Sequence, residues 1–233
     1  ATVACNNCSL SDLCLPRGLT KEELARLESA ISKATKINKK DYLYRRDDPH
    51  QAIYAVKSGS IKTSLSTLEG EEQILGFDLP GDLVGFDAFA NSKHSCDAQA
   101  LEDTFVCELN MEDFHELCGS IASMRNGMMR QVGMEIGREH QLLLTLGQMR
   151  TEERLATFLT GIAERNQSRG FSAREFYLPM PRHDLANYLG MAVETLSRMF
   201  SRLQEDGIIS VNHRLIAILA PERLKGLGHH QCR

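Results

Sequence analysis

Residues 182–199, Arg182-His-Asp-Leu-Ala-Asn-Tyr-Leu-Gly-Met-Ala-Val-Glu-Thr-Leu-Ser-Arg-Met199, carry the pattern that decides the fold. Two apolar-periodic runs, 182–189 and 193–205, flank Gly190, the residue type that enters a left-handed turn without steric cost. Ala186 is small enough to let two helices approach, and Leu185, Leu189, Leu196 and Met199 supply the apolar interface between them. This spacing predicts a helix-turn-helix. Glu194, Ser197, Arg198 and Ser201 fall at i, i+3, i+4 and i+7 of the second helix, opposite Leu196, Met199 and Leu203. An arginine, an acid and hydroxyls on one outward face suit the donors and acceptors of base edges in a major groove. Ile208–Val211 and Arg214–Leu219, joined by Asn212-His213, predict a hairpin directly behind that helix, which makes the element winged. A polar helix face alone is ordinary solvent exposure. Together with the Ala-Gly spacing, the Pro179-Met-Pro181 break and the wing, it points to double-stranded DNA.

Upstream, Thr151 reads as a helix N-cap, with Glu152 and Glu153 in the first turn and Leu155, Phe158, Leu159 and Ile162 facing inward. Residues 121–146 read as one long helix without proline. In it Met129, Val132, Ile136, Glu139, Leu143 and Leu146 are spaced 3, 4, 3, 4 and 3, a heptad seam suited to a second copy of the same helix. Packing on the chain's own core is the competing reading. One seam position, Glu139, is charged. Earlier still, Ile53–Val56, Ser60–Leu65, Gln73–Leu79 and Thr104–Leu109 alternate with Ser58-Gly59, Glu69-Gly70 and Pro80-Gly-Asp82. Short strands at this spacing predict a sandwich or roll. Thr20 reads as the N-cap of a first helix, with Glu22 and Glu23 in its first turn and Leu24, Leu27 and Ile31 as its stripe. The predicted class is α+β, with a segment at 1–18, a β-roll at 19–119, a dimerisation helix at 120–149 and a winged helix-turn-helix at 150–233.

With 42% hydrophobic and 25% charged residues, the chain is neither disordered nor collagen-like. No apolar run approaches the roughly 18–20 residues needed to span a bilayer. Residues 1–15 lack the basic-then-apolar order of a secretion signal, so the expected location is the cytoplasm, with no membrane partner. The net charge of −4 divides into −6 over residues 1–150 and +2 over 151–233, where ten of the eleven cations are arginine. Arginine's planar fork suits phosphate and guanine. Seven cysteines, an odd number in a reducing compartment, argue against a disulfide framework. Cys5-x2-Cys8-x5-Cys14 instead reads as a thiolate metal site short of one ligand. Spacing leaves zinc and an iron–sulfur cluster both open, and does not choose the fourth ligand. Cys107 shares a strand face with Phe105 and Leu109 and reads equally well as a structural cysteine, as do Cys96 and Cys118, while Cys232 falls in a tail. The chain shows no Gly-rich cofactor loop, paired catalytic carboxylates or Ser-His-Asp order, which argues against an enzyme.

The combination resembles the CRP/FNR family of bacterial transcription regulators, over nearly the whole chain. Its most specific marks are Cys5-Asn-Asn-Cys8 with Cys14, Gly81-Asp-Leu-Val-Gly-Phe-Asp87, and Val193-Glu-Thr-Leu-Ser-Arg198. Within the family, the chain is most similar to the oxygen-sensing regulators of the aerobic–anaerobic switch.

That resemblance implies a cyclic-nucleotide-binding-like β-roll and a [4Fe–4S] cluster held by Cys5, Cys8, Cys14 and Cys107. It implies that Glu194, Ser197 and Arg198 read a palindrome of the TTGAT-N4-ATCAA type. The intact cluster favours the DNA-binding homodimer, and oxygen converts it to [2Fe–2S] and returns the protein to monomers. The turn around Gly70 corresponds to a region that meets RNA polymerase, and the outcome is activation or repression of transcription. One departure stands out. Nucleotide-binding members carry Gly-Glu and then Arg-Ser in the roll, but here Phe86 follows Gly85, and Cys96 and Asp97 occupy the Arg-Ser positions. No cyclic nucleotide is therefore expected. A zinc-stabilised DNA-binding regulator without redox sensing is the alternative.

Overall fold

The computed structural model describes residues 5, 8–11, 13–31, 34–67 and 69–228; Cys232 lies outside them. The chain divides into two compact units, 1–137 and 138–233. In the first, α1 (Lys21–Ala30) opens on the expected capping box, in which the Thr20 hydroxyl accepts from the Glu23 N–H and the Glu23 carboxylate from the Thr20 N–H. Leu27 and Ile31 are buried, and Leu24 is half-buried.

The strands that follow are β1 (Ala34–Ile37), β2 (Tyr42–Tyr44), β3 (Ala52–Ser58), β4 (Ile61–Ser66), β5 (Glu72–Asp78), β6 (Leu83–Val84), β7 (Asp97–Ala100) and β8 (Thr104–Asn110). They pair as two antiparallel sheets, β1-β8-β3-β6 and β2-β7-β4-β5. Alternation along β3 sends its two faces into different cores. Ala52, Tyr54 and Val56 pack with Ile61, Val84, Ala98 and Val106. Ile53 and Ala55 turn the other way, toward Leu27, Phe114, Leu117, Ile121, Met124 and Met128 of the helices. Cys107 pairs with Ala55 on one side and Ala34 on the other. Leu109 is buried on that face as expected, but Phe105, at its far end, stands outside the helical cluster and is 40% exposed. Gly59 turns β3 into β4 at φ +84°, where a side-chain Cβ would lie 2.7 Å from the Thr104 Cα. Only glycine fits there. α2 (Met111–Ser120) starts from Asn110, whose side-chain oxygen accepts from the Asp113 N–H. Ile121 then interrupts, and α3 (Ala122–Gln148) runs on across the division between the units.

The second unit holds the end of α3, then α4 (Thr151–Ser168), β9 (Glu175–Tyr177), α5 (Arg182–Tyr188), α6 (Val193–Glu205), β10 (Ile209–Asn212), β11 (Leu215–Ile218) and α7 (Pro221–Gly228). Thr151 is the first residue of α4, not its cap. Arg150 takes the cap position, its N–H donating to the Glu153 carboxylate. The hairpin turn falls one residue later than expected, at His213-Arg214, because Asn212 still pairs with Leu215 and His213 takes φ +55°. A third strand, β9, joins the wing from ahead of the helix-turn-helix. Among the described residues, no helix is long and apolar enough to cross a membrane.

Candidate functional site

In the second unit the helix-turn-helix is closed by Leu185, Ala186, Leu189, Leu196 and Leu203, all essentially buried. Met199, expected in this interface, is only half-buried. Phe200 is buried in its stead, and the Arg182 guanidinium lies 3.5 Å over its ring, joining the start of α5 to the middle of α6. Gly190 makes the turn at φ +60°, and a Cβ there would meet Leu146 Cδ2 at 3.0 Å and an Arg154 nitrogen at 3.2 Å. Arg154, which the sequence reading missed, clamps that turn. Its guanidinium donates to the carbonyls of Leu146, Met149, Leu189 and Gly190 at 2.9–3.1 Å. Arg202 and Glu152 add an ion pair between α6 and α4 at 3.0 Å.

These contacts hold α6 with its opposite face outward. Glu194, Ser197, Arg198 and Ser201 are all exposed. The Ser197 hydroxyl donates to the Val193 carbonyl within the helix, and an Arg198 nitrogen rests 3.2 Å from the Thr195 hydroxyl. The guanidinium is thus free of any strong partner among the described side chains and able to swing to a base edge.

The first unit holds the cysteines. Cys5, Cys8, Cys14 and Cys107 line one pocket, together with Lys57, Leu10, Leu15, Ile31 and Leu109. Three of these thiols come from the N-terminal turns and the fourth from β8. The N-terminal turns are anchored because Cys5, Leu10 and Leu15 are buried, Cys5 and Leu15 in the same cluster as Met124 and Met128 of α3. Burial raises the Cys5 thiol to about 11, with the neighbouring Cys107, Glu28 and Cys8 adding to it and Lys57 opposing. Burial likewise pushes Cys14 up to about 12 and raises Cys107, where Lys57 again opposes. In the bare chain these groups are protonated at neutral pH, and bound metal is what would turn such thiols into thiolates. Among the described residues, no three His, Cys, Asp or Glu side chains stand close enough together to hold a single metal ion.

The other cysteines lie elsewhere. Cys118 is half-buried on α2. The buried Cys96 thiol donates to an Asp87 carboxylate oxygen at 3.5 Å. That carboxylate is a hub within the roll: it accepts from the Tyr44 hydroxyl at 3.2 Å and the Ser95 N–H at 2.7 Å, and the His94 ring nitrogen lies 3.2 Å away. The ring of Tyr44 stacks on that of His94 at 3.5 Å. Burial alone would raise the Asp87 carboxyl, but its hydrogen bonds from His94 and Ser95, with the His94 charge, hold it below the usual range.

The seam residues divide by exposure. Met129 and Leu143 are each 69% exposed and Ile136 is 46% exposed, so they do not pack on the chain's own core. Glu139 is exposed, and Val132 and Leu146 are half-buried, the latter near Gly190.

Comparison with known proteins agrees with both halves of this description. Residues 34–120 match the cyclic nucleotide-binding domain model, and residues 153–227 match the Crp-like helix-turn-helix domain. The chain is 45% identical over 216 residues to the anaerobic regulatory protein of Pasteurella multocida, covering 93% of this chain and 79% of that one. It is 41% identical over 228 residues to the fumarate and nitrate reduction regulatory protein of Escherichia coli, covering 98% and 91%. It is 42% identical to the transcriptional activator protein anr of Pseudomonas aeruginosa, covering 97% and 93%. Among solved structures, FixK2 from Bradyrhizobium japonicum superposes with a TM-score of 0.78 at 28% identity, covering 86% of this chain and all of that one. These relatives are regulators and not enzymes, and on matches of this length and identity the chain belongs to the CRP/FNR family of DNA-binding transcription regulators.

Proposed function

We propose that the chain is an oxygen-responsive regulator of the aerobic–anaerobic switch, in which Cys5, Cys8, Cys14 and Cys107 hold a [4Fe–4S] cluster. The observation that carries this reading is that all four cysteines line one pocket, with Cys5 and Leu15 packed in the same core as the start of α3. When bound, such a cluster would supply an oxygen-labile crosslink among four thiolates. The rest is done by the chain. Lys57, in the β3 bulge between Val56 and Ser58, places a cation beside the thiolates. Cys107 ties the N-terminal turns to the sheet, and Leu15 ties them to α3.

Met129, Val132, Ile136, Leu143 and Leu146 meet the same residues of a second copy, and Glu139 meets Glu139. That like-charge approach keeps the homodimer near its threshold. Glu194, Ser197 and Arg198 of each copy then read the half-sites of a TTGAT-N4-ATCAA palindrome, one helical turn apart. The exposed turn at Gly70, with φ +85°, is the surface offered to RNA polymerase. No cyclic nucleotide is used: the Asp87 hub fills the roll with a carboxylate, the wrong sign for a phosphate. The whole cycle runs in the cytoplasm.

The test is the visible spectrum of protein purified without oxygen, with iron and sulfide assays, before and after air. A brown absorption that decays in air supports the proposal. A colourless, air-stable protein containing zinc overturns the sensing role and leaves the DNA-binding one.

A further inference from the structure

Within the first unit, α3 has two faces. Met124 and Met128 are buried among the residues that include Cys5 and Leu15, whereas Met129 and Ile136 face solvent. Gln131 continues the inner face, three residues beyond Met128 and seven beyond Met124. It is 8% exposed, and its Nε2 donates to the Leu13 carbonyl at 2.9 Å. That carbonyl belongs to the same peptide group as the Cys14 N–H, which donates to the Leu10 carbonyl at 3.0 Å. A peptide group is a rigid plane. Hydrogen bonds at both its ends therefore fix the plane from which the Cys14 side chain departs, one from the cysteine turns and one from α3.

We propose that Gln131 is the positioning residue through which the state of the thiol pocket reaches the dimerisation face of α3. The inference rests on the cluster reading above. With Cys14 held by the cluster, the Leu13 carbonyl stays where Gln131 meets it, and the turn of α3 carrying Val132 is locked to the sensing segment. When the segment is released, Gln131 becomes a buried amide without its acceptor. A group in that position drives the helix to rearrange, because an unsatisfied buried donor costs more than a made hydrogen bond gains. Gln131 lies between Arg130 and Val132 and needs no contact with either the cluster or the second copy to act.

The experiment uses the full chain, prepared without oxygen with its iron and sulfide, and the same chain after chelation. Sedimentation equilibrium gives the dimer Kd of each form, and the ratio of the two is the coupling. Q131M keeps the length and apolar bulk of the side chain but donates nothing. Q131E keeps its shape, and its carboxylate cannot donate when ionised. Iron, sulfide and visible absorbance per chain are measured in parallel, along with the melting temperature. Both variants are expected to load the cluster as the wild type does, while the ratio of Kd values narrows roughly three- to tenfold, the equivalent of one hydrogen bond. A lower melting temperature in both forms with an unchanged ratio marks Gln131 as packing only and overturns the inference. Loss of iron and sulfide from both variants overturns it as well, since Gln131 then serves retention and not coupling. If the wild type itself takes up no iron or sulfide, the cluster reading falls and this inference falls with it.

Discussion

Replacing Arg154 by Met is expected to loosen the helix-turn-helix without touching a residue that faces DNA. Two of its four acceptors lie at the end of α3: the Leu146 carbonyl in its last turn, where a helix cannot satisfy its own last carbonyls, and the Met149 carbonyl just beyond it. The other two, Leu189 and Gly190, form the turn between α5 and α6. Removing one hydrogen bond from a charged donor costs about 1.5–3 kcal/mol, but these four share one guanidinium and do not add. The Gly190 carbonyl is exposed, so water replaces that bond cheaply. Counting two bonds as fully lost gives about 3–6 kcal/mol. For a unit of this size each kcal/mol lowers the melting temperature by about 4–8 °C, so the DNA-binding unit should melt at least about 12 °C lower. Arg154→Lys should fall between, since an ammonium is a point donor and cannot fork across four carbonyls. Differential scanning calorimetry separates this transition from that of the β-roll, and DNA affinity at fixed salt should fall in step. A loss below about 1 kcal/mol, or a Lys variant as stable as the wild type, would refute the clamp.

Three further outcomes can be checked. Arg198→Ala should remove discrimination at a guanine of the half-site, worth roughly 1–3 kcal/mol, in competition assays with substituted operators; equal weakening on all sequences would make Arg198 a phosphate contact. Glu139→Ala should tighten the dimer of the metal-free protein roughly two- to fivefold by analytical ultracentrifugation, with no change in monomer melting because Glu139 is exposed. Asp87 has its carboxyl held below the usual range by His94 and Ser95 against the opposing effect of burial. Its stabilisation is thus complete above the unfolded-state pKa near 4 and is lost as pH falls through the lower folded value. Urea midpoints of the wild type should therefore drop more steeply below pH 4 than those of Asp87→Asn, and parallel curves would remove Asp87 from the account.

What could be read in advance follows from how local each cause is. α6 begins at Val193 and ends at Glu205 as its period indicates, and Gly190 takes the left-handed turn its position demands, because both are decided within a few residues. The short strands β1, β2, β6, β7 and β9 were not legible. Two to four residues carry too little alternation, and β6 exists only because Leu83 and Val84 find Ala55 and Tyr54 beside them. The site divides along the same line. Cys5, Cys8 and Cys14 announce themselves by spacing, but Cys107 is brought to them by pairing with Ala55 and Ala34, residues more than fifty positions away in sequence. Arg154, Phe200 and Gln131 carry no motif at all. Each acquires its role from carbonyls or rings that only the folded chain sets in reach.

The exposures along α3 say why a weak input could govern this molecule. Full burial of an Ile, Leu or Met side chain gains about 1.5–3 kcal/mol. Met129, Ile136 and Leu143 are already 31–54% covered in the single chain, so each has only part of that gain left to offer. Six such side chains across a two-fold seam then contribute on the order of 6–10 kcal/mol. Association itself costs an estimated 4–15 kcal/mol in lost freedom, and apposed Glu139 carboxylates add to that side. The two sums nearly cancel. In the proposed homodimer the apolar seam would then specify the geometry without enforcing it by itself, and a coupling of about 1–3 kcal/mol would shift the population several-fold to more than a hundredfold. One buried amide meeting one carbonyl beside Cys14 is a contact of that size.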